Sequence, residues 1–270
     1  MSTARELFHS GKLTEAIALV TESVKKQPSD VDSRGLLAEL LCFAGELERA
    51  DKQLDATAQL LPSAAFGAGM MRHLVRAELS RREVYLNGRV PEFTLPPSDS
   101  QQLRLRALLC IRENKAEEAS HLIEQACALE PEVDLIVNGQ SVRGFRDLDD
   151  LLGPNLEVYT ATGKYYWISV ERLVSLEFSK PDSLGDLLWR AAVLETDGDV
   201  TGRVHVPVLY QGSSQSEDPL VRVGRATDWN SSGEQAPMLG AGQREFLSGD
   251  DQLAILEISR IERPDTGSNQ

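Results

Sequence analysis

Glycine and proline recur at a fixed interval in the first third of the chain. Gly11 is followed by Gly45, and Pro28 by Pro62, each pair 34 residues apart. Leucine and alanine recur at the same interval, as Leu13, Leu47, Ala16 and Ala50. A third copy ends at Pro131, 69 residues after Pro62, which is two periods plus one residue and leaves room for a degenerate unit between the second and third copies. This interval constrains the fold strongly, because repeated units must stack to bury their apolar faces.

Each unit is predicted to be a helical hairpin of tetratricopeptide type, for which this period is typical. The glycine ends the first helix, where a positive φ is often needed, and the proline ends the second helix. Between the second and third copies an apolar stripe at helical spacing is interpreted as core packing, with an adaptable binding surface as the alternative. Its residues are Phe66, Met70, Leu74 and Ala77. Residues 88–100 are predicted to be a loop.

The chain has a net charge of −14 and one short arginine-rich stretch, residues 72–82. Because the phosphate backbone would repel such a chain, no nucleic-acid partner is expected. The sequence contains neither an apolar run long enough to span a membrane nor a signal-peptide pattern. Three cysteines without CxxC spacing indicate free core thiols, and we expect a cytoplasmic protein. They are Cys42, Cys110 and Cys127.

After Pro131 the apolar pattern becomes strand-like, with runs rich in Val, Ile, Leu and aromatic residues. Turn sequences separate these runs, for example at residues 197–199. The predicted fold class is therefore α+β in two parts. A tetratricopeptide-like α-α superhelix covers residues 1–131, a mainly antiparallel α+β domain covers 132–264, and a polar tail covers 265–270.

One group of polar residues in the second half is a candidate ligand-binding or catalytic site, because neighbouring carboxylates can share a proton. Its members are Asp147, Asp149, Glu157, Gln243 and Arg244. For the aspartates, a solvated turn at a helix N-terminus is the favoured interpretation. The sequence has no HxxxH or HExxH spacing, no P-loop and no GxSxG, so we expect no metal site, no cofactor and no catalytic residue.

The aromatic residues concentrate after residue 158, where most are expected to build the core. Strand alternation places Tyr165 and Trp167 on one face and Tyr166 on the other, which leaves Tyr166 available for contact. The candidate partner-binding residues are Phe66, Met70, Leu74, Tyr166 and Trp229.

A series of fragments in this order resembles the ImpE family, also called TagJ or SciE-type proteins. The fragments are REVYLNGRVPEF (82–93), VNG (137–139), DLDDLLGPNLEVY (147–159), GKYYWIS (163–169), SLGDLLWRAA (183–192), VPVLYQGS (206–213), RATDW (225–229) and GAGQREF (240–246). The resemblance spans essentially the whole chain. Leu151, Gly185 and Leu209 stand where the family usually has arginine, so an anion or reaction site built on those arginines is not expected here.

The resemblance implies a non-enzymatic accessory protein of bacterial type VI secretion. Such a protein binds the N-terminal helix of the small sheath subunit and, indirectly, modulates sheath disassembly by a ClpV-type AAA+ ATPase. A partner helix of this kind would lie in the groove of the helical array. Two alternatives are an enzyme or ligand site in the second half and a generic tetratricopeptide scaffold.

Overall fold

The computed structural model describes residues 2–264, except Asp199, Ser232 and Glu234. Its first half is helical and its second half is built of antiparallel strands, so the predicted fold class is confirmed. The predicted tail, 265–270, lies outside the described residues. The seven helices of the first half are α1 (Ala4–His9), α2 (Leu13–Lys26), α3 (Val31–Phe43), α4 (Leu47–Leu60), α5 (Ala65–Asn87), α6 (Asp99–Arg112) and α7 (Ala116–Leu129).

The hairpins α1–α2, α3–α4 and α6–α7 turn at the predicted positions. Gly11 and Gly45 have φ of 79° and 77°, and Asn114 has φ of 58° in the third hairpin. Such angles suit glycine and, next best, asparagine, which confirms the predicted role of the two glycines. The small alanines of the second helices are fully buried, at Ala16, Ala50 and Ala119.

Helix α5 occupies the degenerate part of the repeat and is longer than the others, at 23 residues. One period after Gly45, where a turn glycine would be expected, the residue is Leu79. Because leucine keeps the helical conformation, α5 continues through this position. The helix instead ends before Gly88, whose φ is 81°. The core-packing interpretation of the apolar stripe holds for Leu74 and Ala77, which are buried, but is wrong for Phe66, which is 83% exposed.

The loop after α5 pairs through Glu92 with Tyr166 and so covers one edge of the main sheet. The cysteine prediction is confirmed for the buried Cys42 and Cys110 but not for Cys127, which is exposed. Of the described helices, none is long and apolar enough to cross a membrane.

The second half contains thirteen strands and a short helix, α8 (Pro219–Arg222), among its described residues. The strands are β1 (Asp134–Val137), β2 (Gln140–Arg143), β3 (Arg146–Asp147), β4 (Asn155–Thr160), β5 (Tyr165–Ser169), β6 (Leu173–Phe178), β7 (Trp189–Thr196), β8 (Gly202–Pro207), β9 (Thr227–Asn230), β10 (Leu239–Gly242), β11 (Glu245–Ser248), β12 (Asp251–Ala254) and β13 (Arg260–Glu262).

Eight strands form the main sheet in the order β2-β1-β13-β6-β7-β8-β4-β5, and each neighbouring pair is antiparallel. A two-stranded sheet pairs β9 with β10, and in a three-stranded sheet β11 lies between β3 and β12. As alternation predicts, Tyr165 and Trp167 of β5 are buried, whereas Tyr166 is only half-buried. Of the turn predicted at 197–199, Asp199 lies outside the described residues.

The second half covers the face of the helical array that the first helices of the hairpins form. Just after α3, Gly45 lies so close to the second half that a Cβ atom added to it would be 2.8 Å from Ser214 Oγ. The backbone N–H of Gly185 donates a hydrogen bond of 3.2 Å to Glu39 of α3. Helix α5 packs on β4 and β5. The chain's own second half therefore contacts this face of the array at α3 and α5, and the expected binding of a partner helix in the groove stays a prediction.

Candidate functional site

A buried network of charges joins α5 to the second half of the chain. Arg81, Glu157 and Arg244 are each at most 2% exposed. Arg81 donates from Nε and Nη2 to the two oxygens of Glu157, at 2.8 and 2.6 Å. Such a two-bond pairing is the strongest geometry that a guanidinium and a carboxylate can adopt. Glu157 lies on β4, so this ion pair connects the repeat to the main sheet.

Arg244 forms the second ion pair of the network. Its Nε and Nη2 donate to Asp147 Oδ2 at 2.9 and 2.6 Å, and its Nη1 lies 3.4 Å from Glu157 Oε2. Three tyrosine hydroxyls also donate hydrogen bonds to the two carboxylates. Tyr165 and Tyr85 donate to Glu157 at 2.5 and 3.2 Å, and Tyr210 donates to Asp147 at 2.8 Å.

The environment acts differently on the three carboxyl groups. Burial opposes ionisation of Glu157, but the guanidinium groups of Arg81 and Arg244 outweigh it and hold the pKa of Glu157 below its ordinary value. For Asp147, burial prevails over Arg244 and raises the pKa. Burial and the neighbouring Asp147 carboxylate raise the pKa of Asp149 from 3.8 to about 7.

Asp149 is a buried cap for backbone groups. Its Oδ1 accepts from the N–H groups of Leu151 and Leu152 at 2.9 and 3.3 Å, and its Oδ2 accepts from Gly240 N at 2.8 Å. The interpretation of the aspartates as a solvated turn is therefore wrong for Asp147 and Asp149, which are 1% and 6% exposed. The turn needs buried acceptors because its own N–H groups are removed from water.

A further arginine holds the same turn from the helical half. Arg104 of α6 donates from Nη1 to Leu151 O at 3.1 Å and from Nε to Glu130 at 2.6 Å. Gly153, with φ of 50°, has no room for a side chain, since a Cβ atom would lie 2.4 Å from Arg104 Nη2.

The structure brings together four of the five polar residues predicted as a cluster, and separates the fifth. Asp147, Glu157 and Arg244 share the ion network, and Asp149 adjoins it through its backbone N–H, which donates to Asp147 at 2.9 Å. Gln243 instead donates to Gly224 O at 2.8 Å, away from the network.

Sequence reasoning missed Arg81, Tyr85 and Arg104, which complete these contacts. The available signal was a set of arginines within helices that otherwise follow an apolar stripe.

The carboxylates of Asp147 and Glu157 are closed off from solvent and paired with guanidinium groups. The adjacent open space is a cavity of about 200 Å³ beside Arg81, lined also by Glu78, Arg82, Trp189 and Tyr210. None of the five cluster residues lines this cavity. Within the described part of the chain, no three His, Cys, Asp or Glu side chains are placed to hold a metal. The arrangement holds α5 against the main sheet and keeps the carboxylates of Asp147 and Glu157 away from the cavity.

The predicted partner-binding residues lie on three separate elements. Phe66 and Met70 are on the first turns of α5, where Phe66 is exposed and Met70 half-buried. Leu74, on the same helix, is 4% exposed, so it belongs to the core and does not offer a contact surface. Tyr166 is half-buried on β5, and Trp229 on β9 packs against Tyr210 with ring centroids 5.7 Å apart.

Comparison with known proteins agrees with this architecture. The family model described as ImpE protein matches residues 139–262, and the model described as tetratricopeptide repeat matches residues 7–68. The type VI secretion system accessory component TagJ of Pseudomonas aeruginosa is 30% identical over 259 residues, covering 96% of this chain and 90% of that protein. The crystal structure of a Vibrio parahaemolyticus protein superposes with a TM-score of 0.89 at 29% identity, over 96% of each chain. With both halves of the fold and nearly its whole length accounted for in this way, the chain belongs to the ImpE family of TagJ-type proteins.

Proposed function

We propose that this chain is a non-enzymatic, cytoplasmic accessory protein of bacterial type VI secretion. It binds the N-terminal helix of the small sheath subunit and thereby modulates sheath disassembly by a ClpV-type AAA+ ATPase. The observation that carries the proposal is the similarity of almost the entire chain to the type VI accessory component TagJ. Tetratricopeptide units, which usually bind peptides or helices, support a protein partner.

The charge of the chain supports the same kind of partner. A net charge of −14 attracts basic segments at long range and repels acidic ones. A short amphipathic helix with a few buried apolar anchors is expected to bind with micromolar affinity, on the order of −8 kcal/mol, after the cost of ordering the helix is subtracted.

The enzyme alternative receives no support from the polar cluster. A catalytic carboxylate must reach its substrate, and Asp147 and Glu157 are fully buried in ion pairs. The cluster instead supports a structural role, in which it holds the two halves of the chain together.

The test of the proposal is a calorimetric titration of the full-length protein with a synthetic peptide of the small sheath subunit's N-terminal helix. Saturable binding with a micromolar dissociation constant is expected. A peptide of the same composition and scrambled order controls for non-specific charge attraction. The absence of saturable binding at tens of micromolar would count against the proposal, and equal binding of both peptides would favour a generic scaffold.

A further inference from the structure

The cavity of about 200 Å³ beside Arg81 lies where α3 and α5 meet the second half of the chain. Helix α5 contributes Glu78, Arg81, Arg82 and Leu86 to its lining. These residues are three or four positions apart, so they share one face of the helix. The rest of the lining comes from the end of α3, the start of β7 and residues 209–215. The cavity therefore exists only when the two halves are packed together.

Part of the lining is apolar and shielded from water. Phe43, Leu188, Trp189 and Leu209 all line the cavity, and each is at most 9% exposed. Ligand cavities typically combine apolar walls of this kind with a few polar groups that orient the ligand. An apolar substituent placed against these four side chains would leave water, which favours binding.

Arg81 brings a buried cation with an unused donor to the cavity. Its Nε and Nη2 donate to Glu157, and Nη2 also donates to Leu209 O at 3.1 Å. Within the described part of the chain, Nη1 makes no hydrogen bond, and Glu78 Oε2 lies 3.6 Å from it, beyond hydrogen-bond distance. Because a buried donor without an acceptor is unfavourable, an oxygen atom of a ligand would stabilise this group.

Glu78 brings an acceptor of opposite charge to the same cavity. Its Oε2 accepts from the Tyr159 hydroxyl and from Trp189 Nε1, at 2.5 and 3.4 Å. Its Oε1 accepts no hydrogen bond from the described residues, and Arg82 Nε is 3.8 Å away. Arg82 itself donates from Nη1 to Gly45 O at 2.8 Å. Cationic donors and an anionic acceptor therefore stand side by side at the cavity, too far apart to satisfy one another.

We infer that the cavity binds a small zwitterion with an apolar substituent, which is the chemistry of a free α-amino acid. Its carboxylate accepts hydrogen bonds from Arg81 Nη1 and from Arg82, its ammonium group donates to Glu78 Oε1, and its side chain packs on the apolar part of the lining. The inference is independent of the proposed function.

The charge balance of the cavity selects a ligand without net charge. Glu157 already compensates Arg81, and the charges of Arg82 and Glu78 cancel. A ligand with only a carboxylate or only an ammonium group would add an uncompensated charge to a largely desolvated site, which is costly. A zwitterion adds both charges, and each meets its opposite.

The first experiment is a calorimetric titration of the full-length chain with L-leucine and three related compounds. L-Leucine should give saturable binding with a dissociation constant below about 1 mM. N-acetyl-L-leucine lacks the ammonium group, L-leucinamide lacks the carboxylate, and free glycine lacks the apolar substituent. Each should bind at least about tenfold more weakly than L-leucine, because one of the three sets of contacts is lost.

Two substitutions locate the ligand in this cavity. Glu78→Gln removes the negative charge but keeps an oxygen that can accept from Tyr159 and Trp189, and Arg82→Met removes a cationic donor. Each should weaken L-leucine binding by at least about tenfold. Arg76→Met, at an exposed position of α5 outside the cavity lining, is the matched control and should leave binding unchanged. Thermal unfolding followed by circular dichroism verifies that each variant is folded.

Three results would overturn the inference. The first is the absence of saturable L-leucine binding to the wild-type chain at 1 mM, on the order of the weakest affinity expected. The second is equal binding of L-leucine and N-acetyl-L-leucine, which would assign the cavity to a carboxylate alone, such as a peptide C-terminus. The third is L-leucine binding that neither Glu78→Gln nor Arg82→Met alters, which would place the ligand elsewhere on the chain.

Discussion

At the scale of single residues, the ion network shows how burial changes what a charged side chain does. Glu157 receives two arginines and two tyrosines, and the pKa of its carboxyl falls below the ordinary value despite complete burial. Asp149 receives backbone N–H groups but no guanidinium, and its pKa rises. The difference arises because two guanidinium groups outweigh burial at Glu157, whereas burial and the neighbouring Asp147 carboxylate prevail at Asp149.

The raised pKa of Asp149 gives a pH dependence whose sign can be stated. Between 3.8 and about 7 the folded chain holds a proton on Asp149 that the unfolded chain has released. The contribution of this group to the free energy of unfolding therefore falls as pH rises through that window. Asp149→Asn cannot titrate, so the loss of stability between about pH 4 and about pH 7, measured by urea unfolding, should be smaller in the variant than in the wild type. Asp250→Asn, in an exposed turn, is the control, and an unchanged difference in Asp149→Asn would contradict the assignment.

At the scale of elements, the repeat combines buried apolar residues with local signals that end helices. Leu54 of α4 is 4% exposed and packs in the core, whereas Pro28, after α2, is exposed. The two residues contribute differently: the apolar residue contributes to the free energy of folding, and the proline directs the chain towards the next unit.

Leu54→Ala should accordingly reduce the free energy of unfolding by about 2–5 kcal/mol, since it removes buried methyl groups and leaves a cavity. Pro28→Ala should cost less than about 1 kcal/mol, because no buried surface is lost. Urea denaturation of the two variants measures both values. A proline variant as unstable as the leucine variant would mean that the turn, rather than the core, limits the stability of the array.

At the scale of the whole molecule, the two halves are joined by buried polar contacts as well as by apolar packing. Besides the Arg81–Glu157 pair, Tyr159 of β4 donates to Glu78 of α5 at 2.5 Å. All three tryptophans lie in the second half, whereas most helical residues lie in the first. Tryptophan fluorescence and far-ultraviolet circular dichroism therefore report on different halves, and coincident unfolding curves are expected from a chain that folds as one unit.

Arg81→Met tests this coupling directly. The substitution leaves Glu157 buried without its main partner, so the free energy of unfolding should fall by about 3–5 kcal/mol by both probes. Arg76→Met, at an exposed position of the same helix, is the matched control and should change stability by less than about 0.5 kcal/mol. A fall seen by fluorescence alone would show that the helical half is stable without this ion pair.

Local sequence patterns predict the hairpins of the array, their glycine turns, the change to antiparallel strands and the alternation within β5. These features depend on neighbouring residues, through φ preferences and the periods of helix and strand, so short segments of sequence are enough to predict them. The sequence also placed Asp147, Glu157 and Arg244 among the polar residues of interest. The packing of whole elements brings Glu157 to Arg81, 76 residues earlier, and closes Asp147 and Glu157 off from solvent. It also decided that Phe66 is exposed while Leu74 is buried. Contacts between distant segments, and the exposure or burial of a residue on a helix, depend on how whole elements pack, and no local pattern encodes that packing.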